Sequence, residues 1–199
     1  MLLMQDPTRY QREIDTIDSS FVTRKGNVIH GRLIHPDDGE RLIEFFLRLS
    51  PESRRRRWHL PLDELDPATL QQQVKPLVGV DNLTNGGAVL GTVQEDGEER
   101  VIGVARLMRT SPDPDWPEAE AAIVVRDDYH GQGVATELLY RMVLLAKRMN
   151  VKTILAIIEA DNAPAIQVFR ELNLPTQART SHGDTTMHIS VPGRQEHSV

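Results

Sequence analysis

The chain has 199 residues, of which 39% are apolar and 26% are charged, and its formal net charge is −6. This length allows one domain with a sizeable buried core, and the composition is that of an ordinary globular protein. No apolar run approaches the ~20 residues of a membrane-spanning helix, and the negative charge argues against general binding of nucleic acid. Because the chain has no cysteine, disulfides, thiolate zinc sites and cysteine nucleophiles are excluded.

The first 20 residues show little periodicity and are interpreted as an N-terminal extension, which leaves one domain over residues 21–199. The segment Met1 to Asp6 has neither the basic region nor the apolar stretch of an export signal. These features predict a cytoplasmic protein that does not associate with membranes. They leave both a monomer and a homodimer open.

The first half of the chain predicts two strand pairs separated by helices. Short turns between apolar, extended stretches define the strand pairs. Proline at the first helical position, followed by apolar side chains at helical spacing, defines the helices. The predicted strands cover Phe21–Arg24, Val28–Ile34, Ala88–Gln94 and Val101–Met108, and the predicted helices begin at Pro36 and Pro51.

The second half predicts alternating strands and helices. A strand at Glu120–Val125 precedes a helix whose apolar residues repeat at three and four between Val134 and Met149. The next strand is Thr153–Ile158, and a strand, helix and strand in this order normally make the two strands parallel. A helix capped by Asp161 and two strands between residues 174 and 191 complete a mixed α/β domain.

The most informative segment is the turn between the strand that ends at Val125 and the following helix. Gly131 and Gly133 remove side chains that would keep a ligand away, and the first amides of a helix attract anions. The turn lacks the lysine of a Walker A loop and the third glycine of a dinucleotide fingerprint. It predicts a phosphate-binding site of another kind, with an ordinary strand-to-helix turn as the alternative.

The segment His130–Ala135 resembles the acyl-CoA loop of the GNAT N-acetyltransferase superfamily, Gln/Arg-x-x-Gly-x-Gly/Ala, with His130 at the first position. Downstream, Asn162 matches a family asparagine that contacts the pantetheine arm, although a helix-start residue is its simpler interpretation. The resemblance covers about residues 21–191. It implies the GNAT fold, a mixed central sheet of six to seven strands flanked by helices, with acetyl-CoA as co-substrate. The residues implied in binding acetyl-CoA are Val124, Val125, His130, Gly131, Gln132, Gly133, Val134, Ala135, Thr136 and Asn162.

Three stretches, Val28–Asp38, Leu49–Ser53 and Val125–Asp128, resemble more narrowly the catalytic domain of bacterial Pat-type protein lysine acetyltransferases. That likeness implies an amine acceptor, with protein lysine favoured and small molecules still possible. A lysine amine, with a reference pKa of ~10.4, must lose a proton before it attacks, which requires a general base. The likeness assigns this role to Glu120, which is expected to be partly buried at the mouth of a cleft.

Several alternatives remain open at this point. Glu118 and Glu159 are the other candidate bases, and Glu120 could instead be a solvated glutamate at a strand end. Phe169 stands where the family usually has a tyrosine that acts as the general acid. Because phenylalanine cannot donate a proton, the coenzyme A thiolate is expected to leave unaided. Tyr129 is interpreted as a packing residue. The competing functions are a CoA-binding sensor or partner module without catalysis, and a structural domain without a ligand.

Two further patterns carry no chemistry in this interpretation. The seven histidines show no ligand spacing of the HExxH kind, which predicts that the protein holds no metal. The run Arg54–Arg57 could hold an anion, but a solvated helix face is the favoured interpretation.

Overall fold

The computed structural model describes residues 14–58 and 67–192, which form one eight-stranded sheet with α-helices packed on its two faces. The strands are β1 (Ser19–Val22), β2 (Val28–Leu33), β3 (Gly86–Glu95), β4 (Glu98–Arg109), β5 (Glu118–Val125), β6 (Thr153–Glu159), β7 (Thr176–Ser181) and β8 (Asp184–Ser190). The α-helices are α1 (Gly39–Leu47), α2 (Pro51–Trp58), α3 (Pro67–Val78), α4 (Val134–Arg148) and α5 (Ala163–Arg170). Within these two ranges, no helix is long and apolar enough to cross a membrane.

The strand order is β1-β2-β3-β4-β5-β6-β8-β7, and the strand pairs are antiparallel except for β5 with β6. The parallel pair confirms the predicted crossover through α4. The sheet has eight strands rather than six to seven. The sequence patterns themselves predicted eight strands, and even the short strand β1 pairs along its whole length with β2, from Ser19 opposite Gly31 to Val22 opposite Val28.

The sheet separates two apolar cores. On one side, α4 and α5 pack on side chains such as Val89 and Ala105. On the other side, α1 and α3 pack on the alternate residues Leu90 and Val104. Because successive side chains of a strand point to opposite faces, the central strands must be apolar on both sides.

Helix α4 is buried without interruption from Leu138 to Ala146, and this stretch includes one arginine. The Arg141 guanidinium donates hydrogen bonds to the carbonyls of Thr16, Ile17 and Ser19 at 2.8–2.9 Å. These contacts tie the chain before β1 to α4. Residues 1–13 of the predicted N-terminal extension lie outside the described residues.

Candidate functional site

A cleft of about 920 Å³ opens where β5 and β6 separate. Their parallel pairing covers only Glu118–Glu120 opposite Thr153–Leu155, although β5 continues to Val125 and β6 continues to Glu159. Beyond Glu120 the two strands diverge, and residues 121–125 of β5 line the cleft. Backbone polar groups on this side of β5 are therefore available to an extended ligand.

The predicted phosphate-binding turn forms one wall of this cleft. Gly131 and Gly133 have φ values of +69° and +88°, in the left-handed region that favours glycine. A Cβ atom on Gly131 would meet no other atom within 4 Å, so the backbone conformation, and not crowding, requires this glycine. The turn residues that line the cleft are His130, Gly131, Gly133, Val134, Ala135 and Thr136.

Helix α4 begins at the same wall without a side-chain cap. Its N-cap residue is Gly133, which has no side chain to accept a hydrogen bond from the first turn. The amides of Val134, Ala135 and Thr136 lie in that first turn, where a helix supplies no acceptor. Together with the helix dipole, these amides form a site suited to an anion such as a pyrophosphate.

Asp127 fixes the turn from outside the cleft. Its carboxylate accepts hydrogen bonds from the Ser50 backbone N at 2.9 Å, the Ser50 hydroxyl at 2.7 Å and the Ser53 hydroxyl at 2.8 Å. Burial opposes ionisation of Asp127, but these hydrogen bonds outweigh it and hold the pKa of the carboxyl below its ordinary value. The turn is thereby joined to the start of α2.

Arg126 holds the turn on its other side. It is buried between Glu95 and Asp128, whose Oδ1 atom lies 2.8 Å from the arginine Nε. The Arg126 guanidinium also lies 5.0 Å from the ring centre of Tyr129, whose hydroxyl is 3.5 Å from Glu95. Burial raises the pKa of Tyr129. These are the contacts of a packing residue, although Tyr129 also lines the cleft.

Gln132 is buried at 3% exposure and is not among the residues that line the cleft. Its amide nitrogen donates to the Asp128 carbonyl at 2.7 Å. Its amide oxygen accepts from Thr23 at 3.3 Å and from Asn27 at 3.1 Å. These contacts join the turn to the β1–β2 hairpin, and the predicted part of Gln132 in binding acetyl-CoA remains a prediction for its backbone.

The other predicted binding residues contribute to the cleft in different ways. Val124 and Val125 line it from β5, and the His130 ring nitrogen Nε2 lies 2.7 Å from the Val125 carbonyl. Asn162 lines the opposite wall and caps α5 by accepting from the Ala165 backbone N at 3.3 Å. The prediction that Asp161 caps this helix was wrong. The cap uses only the side-chain oxygen of Asn162. The side-chain nitrogen of Asn162 is therefore available to donate a hydrogen bond.

Glu120 lines the cleft at the point where β5 and β6 part. The side chain is exposed, whereas partial burial was expected, because the diverging strands leave its surroundings open. Arg106, on the neighbouring strand β4, was missed by the sequence analysis. Burial lowers the pKa of Arg106, and the negative charge of Glu120 opposes that shift, which indicates that the two groups interact electrostatically.

The two alternative glutamates are occupied by other contacts. Glu118 accepts a hydrogen bond from the Thr110 hydroxyl at 3.2 Å. Glu159, at the end of β6, is bound by two nitrogens of Arg55 at 2.8 and 3.0 Å. An arginine held in this bidentate way stabilises the carboxylate in its ionised, paired form. In the described part of the chain, Glu120 forms no comparable hydrogen bond or ion pair.

The arginine run on α2 is not simply a solvated helix face. Arg55 reaches Glu159, and Arg56 lies 3.5 Å from Asp161 and lines the cleft. Since the other end of α2 is bound to Asp127, this helix bridges the two walls of the cleft. Sequence reasoning missed the bridge because it depends on pairs that are distant in the chain.

The far end of the cleft is formed by α4 and α5. Thr136 donates a hydrogen bond to Glu171 at 2.8 Å, and both residues line the cleft. Phe169 also lines it, although the phenyl ring is buried in the core at 2% exposure. Within residues 14–58 and 67–192, no group of three or more His, Asp or Glu side chains could hold a metal ion. His59 and His197 lie outside the described residues.

Comparison with known proteins gives a consistent result. The family model of the acetyltransferase (GNAT) domain matches residues 32–174. Acetyltransferase PA5475 of Pseudomonas aeruginosa is 30% identical over 131 residues, which span 66% of each chain. The GNAT domain of S. lividans PAT superposes with a TM-score of 0.75 at 24% identity, covering 88% of this chain and 97% of that one. The ribosomal-protein-S5-alanine acetyltransferase of Vibrio fischeri gives a TM-score of 0.64 at 16% identity, with 92% and 100% covered.

Proposed function

This chain belongs to the GNAT acetyltransferase family, and we propose that it transfers the acetyl group of acetyl-CoA to a primary amine by direct attack. One observation carries the proposal. The glycine turn at the start of α4 and the carboxylate of Glu120 open onto the same cleft, between strands that have separated. This arrangement supports an anion site and a proton acceptor along one path.

The residues of the cleft fit acetyl-CoA, which supplies an acetyl group activated as a thioester. The amides of residues 131–136 would hold the pyrophosphate, because they lie in the first turn of α4 and its glycine approach. The edge of β5 at Val124 and Val125, which β6 leaves unpaired at the cleft, would bind the pantetheine arm. Asn162 would donate a hydrogen bond from its side-chain N–H to the same arm from the opposite wall.

Glu120 would act on the acceptor amine. Its carboxylate accepts a proton from the acceptor ammonium, directly or through one water, and leaves a neutral amine that can attack the thioester carbon. A backbone amide near Val124 or Val125 would stabilise the charge that develops on the thioester oxygen. The C–N bond forms as the C–S bond breaks, and the second amine proton is released. Phe169 has no proton to give, so the thiolate leaves without a protein acid.

The acceptor half of the cleft favours a cationic amine. Three carboxylates line it, those of Glu120, Glu159 and Asp184. Arg55 and Arg56 pair with Glu159, so the carboxylates of Glu120 and Asp184 are the ones that would attract an amine in its protonated form. The structural likeness to the GNAT domain of PAT supports a protein lysine as acceptor, while a small amine remains the second class. A cytoplasmic monomer or homodimer stays the predicted setting.

The test combines binding and turnover on the same protein. Calorimetric titration with acetyl-CoA is followed by measurement of thiol release when amines and lysine peptides are added. Glu120→Gln should reduce kcat by roughly 10²- to 10⁴-fold, because general-base catalysis contributes about that much. The dissociation constant for acetyl-CoA should stay unchanged. Glu118→Gln is the matched control on the same strand and should retain most of the activity.

The other outcomes separate the competing functions. If wild-type protein binds acetyl-CoA tightly and releases no thiol with any acceptor, a CoA-binding sensor or partner module is favoured. If Glu120→Gln keeps full turnover while Glu118→Gln loses it, the assigned base is wrong. If wild-type protein does not bind acetyl-CoA, the proposed transfer fails altogether.

A further inference from the structure

Arg24 stands beside the proposed pyrophosphate site, although it is distant from that site in sequence. It follows β1 in the turn of the first hairpin and lines the same cleft as the glycine turn. Its Nε atom lies 3.9 Å from the position that a Cβ on Gly133 would occupy. Gly133 is the N-cap of α4. The guanidinium is therefore placed next to the first free amides of that helix.

The backbone at Arg24 is fixed to the glycine turn. Its N–H donates to the Gln132 carbonyl at 3.1 Å. On either side of it, Thr23 and Asn27 donate to the Gln132 side-chain oxygen at 3.3 and 3.1 Å. The buried amide of Gln132 thus joins the hairpin to the turn. Arg24 belongs structurally to the anion site even though it lies more than 100 positions earlier in the chain.

The charge of Arg24 is not balanced by the protein in the described part of the chain. Among these residues, no carboxylate lies within ion-pair distance of its guanidinium, whereas Arg55, Arg126 and Arg141 each have one within 3.2 Å. The positive end of the α4 dipole repels a cation placed beside it. An anion bound between Arg24 and the helix would satisfy both groups, and a guanidinium suits phosphate oxygens.

We propose that Arg24 binds the pyrophosphate of acetyl-CoA and completes, from the first hairpin, the anion site at the start of α4. This inference rests on the proposed function, because it assumes that acetyl-CoA occupies the cleft. It adds a binding residue outside the acyl-CoA loop. It also explains why the side chain of Gln132 is buried, because that side chain holds the first hairpin against the acyl-CoA loop.

The test measures the affinity of Arg24→Gln for two ligands by calorimetry. Coenzyme A and 3′-dephospho-coenzyme A share the pyrophosphate, but only the first carries the 3′-phosphate. The dissociation constant should rise about 10-fold for both ligands, the loss expected for one hydrogen bond to a charged group. The salt dependence of binding should also weaken. Lys25→Gln, in the same exposed turn, is the matched control and should bind both ligands like wild type.

Other results would overturn the inference. A loss with coenzyme A that disappears with the dephospho ligand would assign Arg24 to the 3′-phosphate. Unchanged affinity for both ligands, or an equal loss in Lys25→Gln, would show that Arg24 makes no specific contact. The ligand-free unfolding midpoint should not fall below that of wild type, because the backbone N–H that anchors Arg24 is retained and a charge that the α4 dipole repels is removed. Failure of wild-type protein to bind either ligand would instead remove the proposed function, and this inference with it.

Discussion

Gly131 allows a direct test of the turn at the scale of one residue. Gly131 has a φ of +69°, and a residue with a side chain is less stable in this conformation than glycine is. Crowding plays no part, because a Cβ there would touch nothing within 4 Å. Gly131→Ala should therefore reduce the free energy of unfolding by about 1 kcal/mol through the backbone alone. We also expect weaker binding of acetyl-CoA, because the turn would relax away from the conformation that presents its amides.

Gly39 provides the control for this substitution. It begins α1 with a right-handed helical φ of −53°, and a Cβ there would also touch nothing within 4 Å. Gly39→Ala should be neutral or stabilising by about 0.4–1 kcal/mol, since alanine reduces the freedom of the unfolded chain. Urea denaturation of both variants measures the difference. If both variants lose the same stability, the left-handed conformation is not what requires glycine at Gly131.

At this scale, the sequence predicted the residues with a local signature and missed those defined by distant partners. The glycines of the turn stand in a short pattern with a known conformational reason, and the structure places them at the cleft. Gln132 belongs to the same pattern, but its side chain binds Thr23 and Asn27. Arg24, which we propose as a pyrophosphate ligand, has no sequence signal that predicts this role, because its position depends on contacts between the hairpin and the turn.

At the scale of elements, Asp127 predicts how stability depends on pH. Its pKa is lowered in the folded protein, so its contribution is complete above the unfolded pKa of about 3.9 and is lost as the pH falls through the folded value. Asp127→Asn should reduce the free energy of unfolding by about 2 kcal/mol at pH 7, because charge-assisted hydrogen bonds to Ser50 and Ser53 are weakened. The difference from wild type should shrink as the pH falls below 3.9.

Chemical denaturation at several pH values checks this prediction. Asp161→Asn is the control, since Asp161 is 75% exposed and lies 3.5 Å from Arg56, and its effect should stay within about 0.5 kcal/mol. A difference between wild type and Asp127→Asn that stays constant from pH 7 to pH 3 would mean that the carboxylate charge contributes nothing. A simultaneous loss of acetyl-CoA affinity is expected, because Asp127 joins the turn to α2.

The elements themselves followed from the sequence more fully than their arrangement did. Helical spacing and turn residues predicted α4, the hairpins and the crossover that makes β5 and β6 parallel, because each depends on residues close together in the chain. The separation of these two strands after Glu120 has no local signal. The bridge formed by α2 was missed for the same reason. A run of arginines in the sequence predicts a charged helix face but does not predict which distant carboxylates the arginines contact.

At the scale of the whole molecule, binding of acetyl-CoA in the cleft should stabilise the fold by an amount that can be predicted. Side chains from β5, β6, α2, α4 and α5 line it, and a ligand that binds only the folded state stabilises all of them by mass action. At 100 times its dissociation constant, acetyl-CoA should add about 2.7 kcal/mol. For a domain of this size, the thermal midpoint should rise by about 5–10 °C. The rise should grow with the logarithm of ligand concentration.

Differential scanning fluorimetry over a series of acetyl-CoA concentrations measures this shift. Gly131→Ala, compared at equal ligand concentration, should show a smaller rise, because its turn no longer presents the amides of the anion site. Gly39→Ala should show the wild-type rise, since α1 lies on the sheet face away from α4. A midpoint that stays constant over the whole series would mean that the cleft between β5 and β6 does not bind acetyl-CoA. The separation of the strands would then need a different explanation.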